Sequence, residues 1–142
     1  MENEKLFRLE REISEMPRLS IDDMLNLAGQ VKDWKAIRVA RHLEKEYSYF
    51  QPDVYEFQGR IGEITLDLES SSANSFSRWY RLTASSPLNN LGNYRGKESK
   101  CPLRLVELFS GLEERYIQNY LEKVKLDMKN GLDEARRLIV NK

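Results

Sequence analysis

The chain contains one cysteine and one histidine in 142 residues, and those two shortages remove most metal and nucleophile chemistry. A zinc site of Cys or mixed Cys/His type needs more ligands than these, and Cys101 alone closes no internal disulfide. A Ser-His-Asp or Cys-His centre would have to recruit His42, which stands in Ala40-Arg41-His42-Leu43 with nothing beside it to orient a base. There is no Gly-rich phosphate loop ending in Lys-Ser/Thr, no G-x-G-x-x-G and no G-x-S-x-G elbow. P-loop enzymes, dinucleotide oxidoreductases and hydrolases of the elbow type are thereby excluded. No apolar run approaches the ~20 residues of a membrane span. That absence, the lone thiol and the lack of an apolar leader give the expectation of a cytoplasmic protein without membrane contact. No catalytic residue, metal or cofactor is expected.

Two weaker chemical patterns are present. Cys101 precedes Pro102 at an expected helix start and follows Lys100, a setting that lowers a thiol pKa; the commoner reading is an ordinary packed cysteine. Glu63 and Asp67 share a face if their segment is helical, and Glu113-Glu114 adjoin Arg115. Surface charge explains such carboxylates more simply than acid–base work does.

With 40% hydrophobic and 32% charged residues, the chain has enough apolar material for one packed domain over residues 1–142. Its formal net charge is zero, but the distribution is uneven. Residues 1–69 carry 15 acids and 10 bases, and residues 105–142 carry seven of each. Between them, residues 70–104 hold Arg78, Arg81, Arg95, Lys97, Lys100 and Arg104 against Glu98 alone. The cationic excess is local.

Apolar spacing predicts a mostly all-α fold, a bundle of antiparallel helical hairpins. Leu6, Leu9, Ile13 and Met16 form one stripe that Pro17 ends. Ser20 and Asp23 make a capping-box pattern opening a second helix with Ile21, Met24, Leu25 and Ala28. Asp33 would cap a third helix carrying Ala36, Ala40, Leu43, Tyr47 and Phe50. From 53 to 69 two templates compete. Val54, Phe57, Ile61, Ile64 and Leu68 fit helical spacing, whereas Ile64, Leu66 and Leu68 alternate as in a strand, and Gly59-Arg60 would suit a hairpin turn. The helix has more matching positions and is preferred, with a small β-hairpin as the alternative. A short helix around Phe76, Trp79, Tyr80 and Leu82, a long loop over 85–100 and a helix from Pro102 ending at Asn130-Gly131 complete the reading, with a last helix capped near Asp133. Two segments, 27–36 and 130–135, resemble the turn and second helix of tetratricopeptide-type hairpins. No 34-residue period links them, so the resemblance implies helical-hairpin packing and carries no site.

The basic segment is the candidate site. Arg78, Trp79, Arg81, Tyr94, Arg95, Lys97, Lys100 and Arg104 combine cations with aromatics, and Asn89, Asn90 and Asn93 add amides. Cations follow phosphates, flat rings accept stacked bases and amides read base edges, which is the set that single-stranded nucleic acid requires. The same surface would equally meet an acidic protein, and Trp79 and Tyr80 could instead be core anchors. The expected function is a non-catalytic protein-interaction or assembly subunit presenting a cationic loop, possible homo-oligomer included. Single-stranded RNA or DNA binding is the alternative.

Overall fold

The computed structural model describes residues 2–40, 53–74 and 77–140, with side chains 73 and 74 outside the description. It divides into two compact units, Met1–Lys100 and Cys101–Lys142. The first unit is built on a five-stranded antiparallel sheet in simple meander order, and this overturns the helical-bundle expectation.

Helix α1 (Glu2–Glu15) is exposed all round, its stripe of Leu6, Leu9 and Ile13 included. Pro17 follows, and α2 (Ile21–Ala28) begins where the capping box places it. Ser20 Oγ accepts from the Asp23 N–H at 3.1 Å, and the Asp23 carboxylate accepts from the Ser20 N–H at 3.4 Å. The five strands are β1 (Lys35–Ala40), β2 (Val54–Ile61), β3 (Ile64–Asn74), β4 (Ser77–Ser85) and β5 (Asn90–Lys97). The expected third helix is therefore replaced at its start by β1. Its remainder, with His42, Leu43, Tyr47 and Phe50, lies outside the described residues. The short helix around Trp79 is strand β4, and the long loop is β5 plus a tight turn in which the Ser86 N–H donates to the Asn89 carbonyl at 2.9 Å.

Segment 53–69 is a hairpin. Its turn is Gly62-Glu63, between the paired Ile61 and Ile64, and not Gly59-Arg60. Gly62 has φ +58, a left-handed conformation that glycine adopts without a Cβ penalty. Glu63 thus sits in a turn while Asp67 lies within β3, so the two carboxylates do not share a helix face.

Alternation decides the two faces of the sheet. Tyr55 and Phe57 of β2, Leu66, Leu68 and Ser70 of β3, and Tyr80, Leu82 and Ala84 of β4 are all buried, as are Met24, Leu25 and Ala28 of α2. Chain approaching this inner face is met at two points by glycine. A Cβ on Gly92 would stand 3.0 Å from Met24 Sδ and 3.1 Å from Leu19 Cβ, and one on Gly59 would stand 2.5 Å from Val31 Cγ1 and 3.1 Å from the Trp34 ring.

The second unit is one helix, α3 (Leu103–Val140), preceded by Cys101 and Pro102. It runs unbroken through Asn130-Gly131, so no separate last helix exists and the tetratricopeptide-like turn is absent there. Its buried residues are Leu105, Phe109 and Leu112. No described helix is long and apolar enough to cross a membrane.

Candidate cationic surface on the open sheet face

Strand register sorts the eight sequence-chosen residues at once. On β4, Trp79 and Arg81 alternate with the buried Tyr80 and Leu82, so they stand on the outer face. On β5, Lys97 lies opposite Trp79 and Arg95 opposite Arg81, which brings those four side chains together. Tyr94 pairs with Leu82 and therefore belongs to the inner face. Arg78 does too: its Nη1 donates to Ser70 Oγ at 2.9 Å, and its Cζ lies 5.9 Å from the centre of the Tyr55 ring. Lys100 ends an exposed single 3-10 turn, Glu98–Lys100, and Arg104 belongs to the second unit. The eight residues do not form one patch. Four of them do.

The outer face holds a row of charges that the sequence reading missed. Pairing sets Arg38, Glu56, Glu69, Arg81 and Arg95 side by side across β1 to β5. Like charges directly opposite one another destabilise a sheet, and this row has two such pairs, Glu56 with Glu69 and Arg81 with Arg95. The first is relieved from both sides. Arg38 reaches Glu69 at 3.2 Å and Glu56 at 3.9 Å, and Arg81 is ion-paired to Glu69. Arg95 is the surplus cation: no carboxylate among the described residues pairs with it. Instead its Cζ lies 5.2 Å from the Trp79 ring centre, and Lys97 Nζ lies 5.4 Å from the same ring. A cation over a half-buried indole at the surface gains about 0.5–1 kcal/mol, which holds both groups in place without neutralising them.

Next to this row, Asp67 occupies the outer face of β3 with its Oδ1 buried and unpartnered. Loss of water pushes its carboxyl from the ordinary 3.8 up to about 6, reinforced by the charge of Glu56, a hydrogen bond to Glu56 and the charge of Glu69, with Arg81 opposing. The outer face is thus acidic at its centre and cationic along β5. Between the two zones lies a shallow recess of about 150 Å³ lined by Glu69, Ser71, Trp79, Tyr80, Arg81 and Arg95. Among the described residues, no group of three His, Cys, Asp or Glu side chains is arranged to hold a metal ion.

The missed signal was the period. Asp67 and Glu69 alternate with Leu66 and Leu68, and Arg95 and Lys97 alternate with Tyr94 and Gly96. Read with period two, these positions face one way.

Comparison with protein-family models, with curated proteins and with solved structures finds no match for this chain.

Proposed function

We propose that the protein is a non-catalytic interaction subunit that offers the Trp79, Arg95 and Lys97 patch to an acidic, extended segment of a partner protein. The observation that carries this reading is the uncompensated end of the charge row: Arg95 faces Arg81 across the strands, and Glu69 already serves Arg81. An acidic side chain laid beside Arg95 would complete the row as Glu69 does on the other side. β5 is also an edge strand of the sheet. An extended segment added along it could use backbone hydrogen bonds for affinity and place alternate side chains beside Arg95 and Lys97 for selectivity.

Single-stranded nucleic acid is the second reading, favoured by Trp79 standing among cations. It fares less well because Glu56, Asp67 and Glu69 occupy the same face, and a phosphate chain crossing the sheet would meet them. One aromatic ring also makes a short platform for successive bases.

The test is a titration of the full chain with an oligoglutamate peptide and, separately, with oligo(dT), at about 50 mM salt and at higher salt. The expected result is peptide binding that falls about tenfold or more in an Arg95→Ala/Lys97→Ala variant, the loss of two charge-assisted contacts. Binding of oligo(dT) in preference to peptide, with log affinity falling by ~0.7 per phosphate contact against log salt, would turn the reading to nucleic acid. No binding of either anion, or binding unchanged in the double variant, would refute both.

A further inference from the structure

From residue 121 to residue 140 every residue of α3 is exposed. In proteins most helical stability comes from packing an apolar face, and this stretch packs none. Most of its apolar side chains nonetheless fall in one stripe, Ile117, Leu121, Val124, Met128, Leu132, Ala135 and Ile139, at spacings of four, three, four, four, three and four, with Leu126, Leu138 and Val140 off it. The pattern repeats after eleven residues, close to three whole turns, so the stripe runs nearly straight along the axis. Leu121, Met128 and Ile139 on it are 55%, 59% and 71% exposed. At 100° per residue the stripe is turned by about 130° from the face on which Leu105, Phe109 and Leu112 are buried. The two faces need different occupants.

We propose that a second copy of α3 covers the stripe, packed antiparallel with the twofold axis near residue 125. Charge selects this partner and this direction. Along one flank of the stripe lie Glu114 before the axis and Arg136 after it. Antiparallel packing brings like flanks together, so Glu114 falls beside the second copy's Arg136, a pair that occurs twice by symmetry. The intervening Lys125 lies near the axis, where its stem covers apolar surface and its ammonium reaches water. The opposite flank carries Glu113 and Asp127; there Glu113 falls beside Leu138 and Tyr120 beside Gly131, with no like-charge pair. A parallel arrangement would set the two different flanks together and lose both of these ion pairs. The paired stretch, 114–136, is about 33 Å long.

Light scattering or sedimentation of the full chain across micromolar concentrations tests this directly. The expected mass is twice the 16.8 kDa of one chain, falling to one chain in Leu121→Glu/Leu132→Glu. Glu114→Lys alone and Arg136→Glu alone should each weaken the dimer about tenfold, two exposed pairs being lost at once. The double reversal Glu114→Lys/Arg136→Glu should restore it. These exposed charge variants leave the apolar stripe intact, so their outcome stands even where the Leu→Glu variant folds poorly. A monomer at high micromolar concentration, an assembly larger than two, a dimer indifferent to the stripe, or a double reversal weaker than both single changes would overturn the proposal.

Discussion

Removing the charge of Asp67 should stabilise the protein, and only above acidic pH. Asp67 shares the outer face of the sheet with Glu56 and Glu69, and its carboxyl titrates near 6 in place of 3.8. The folded chain therefore holds this proton more tightly than the unfolded chain does. By linkage, the contribution of Asp67 to stability is most favourable below about pH 4, falls as pH rises towards 6, and stays reduced above it. For a fully buried group the displacement would correspond to about 3 kcal/mol. Asp67 is only half-buried, and solvent screening reduces the effect to about 1 kcal/mol. Asp67→Asn places a neutral amide there that can donate to Glu56, so the variant should gain that ~1 kcal/mol near pH 8, or about 2–4 °C in Tm for a chain of this size. Below about pH 4 the two proteins should unfold alike. Urea unfolding at both pH values, followed by tryptophan fluorescence, measures the difference. A gain of equal size at both, or a loss near pH 8, would show that the charge of Asp67 does not burden the fold.

Three further variants separate steric from conformational causes and test the inner face. Gly59→Ala should destabilise by about 1–3 kcal/mol, because its Cβ meets Val31 and Trp34; Gly62→Ala meets no atom within 4 Å and should cost about 1–2 kcal/mol through its positive φ alone. Chemical denaturation of both variants checks this, and a larger loss at Gly62 would contradict it. Tyr80→Phe removes the hydrogen bond that the buried hydroxyl donates to Glu98 at 2.9 Å, with an expected loss of about 1–2 kcal/mol in the same assay.

The sequence showed some of this fold plainly and disguised the rest. The ends of α1 and α2 were visible because Pro17 and the Ser20–Asp23 box act locally. The sheet was hidden by coincidence of spacing. Val54, Phe57, Ile61, Ile64 and Leu68 match a helix, but they belong to two strands joined at Gly62-Glu63, and the helical pattern passes over Tyr55 and Leu66, which are fully buried. Strand β5 was hidden for a different reason. Its inner face reads Gly92, Tyr94 and Gly96, and Gly92 is glycine because Leu19 and Met24 lie against it. Close approach had removed the apolar residue that alternation would need. For the site, the local cationic excess was legible as composition, yet the division of Arg78 and Tyr94 from Trp79, Arg81, Arg95 and Lys97 depends on strand parity. The acidic neighbours Glu56, Asp67 and Glu69 come from other strands and became part of the surface only through register.

Only two tryptophans are present, Trp34 and Trp79, and they stand on opposite sides of the sheet. Following both indole N–H signals by NMR while an acidic peptide is added reads the proposed surface directly. The Trp79 signal should move together with the β5 amides of Arg95 and Lys97 while Trp34 stays still; movement of Trp34, or shifts confined to α3, would place the peptide elsewhere.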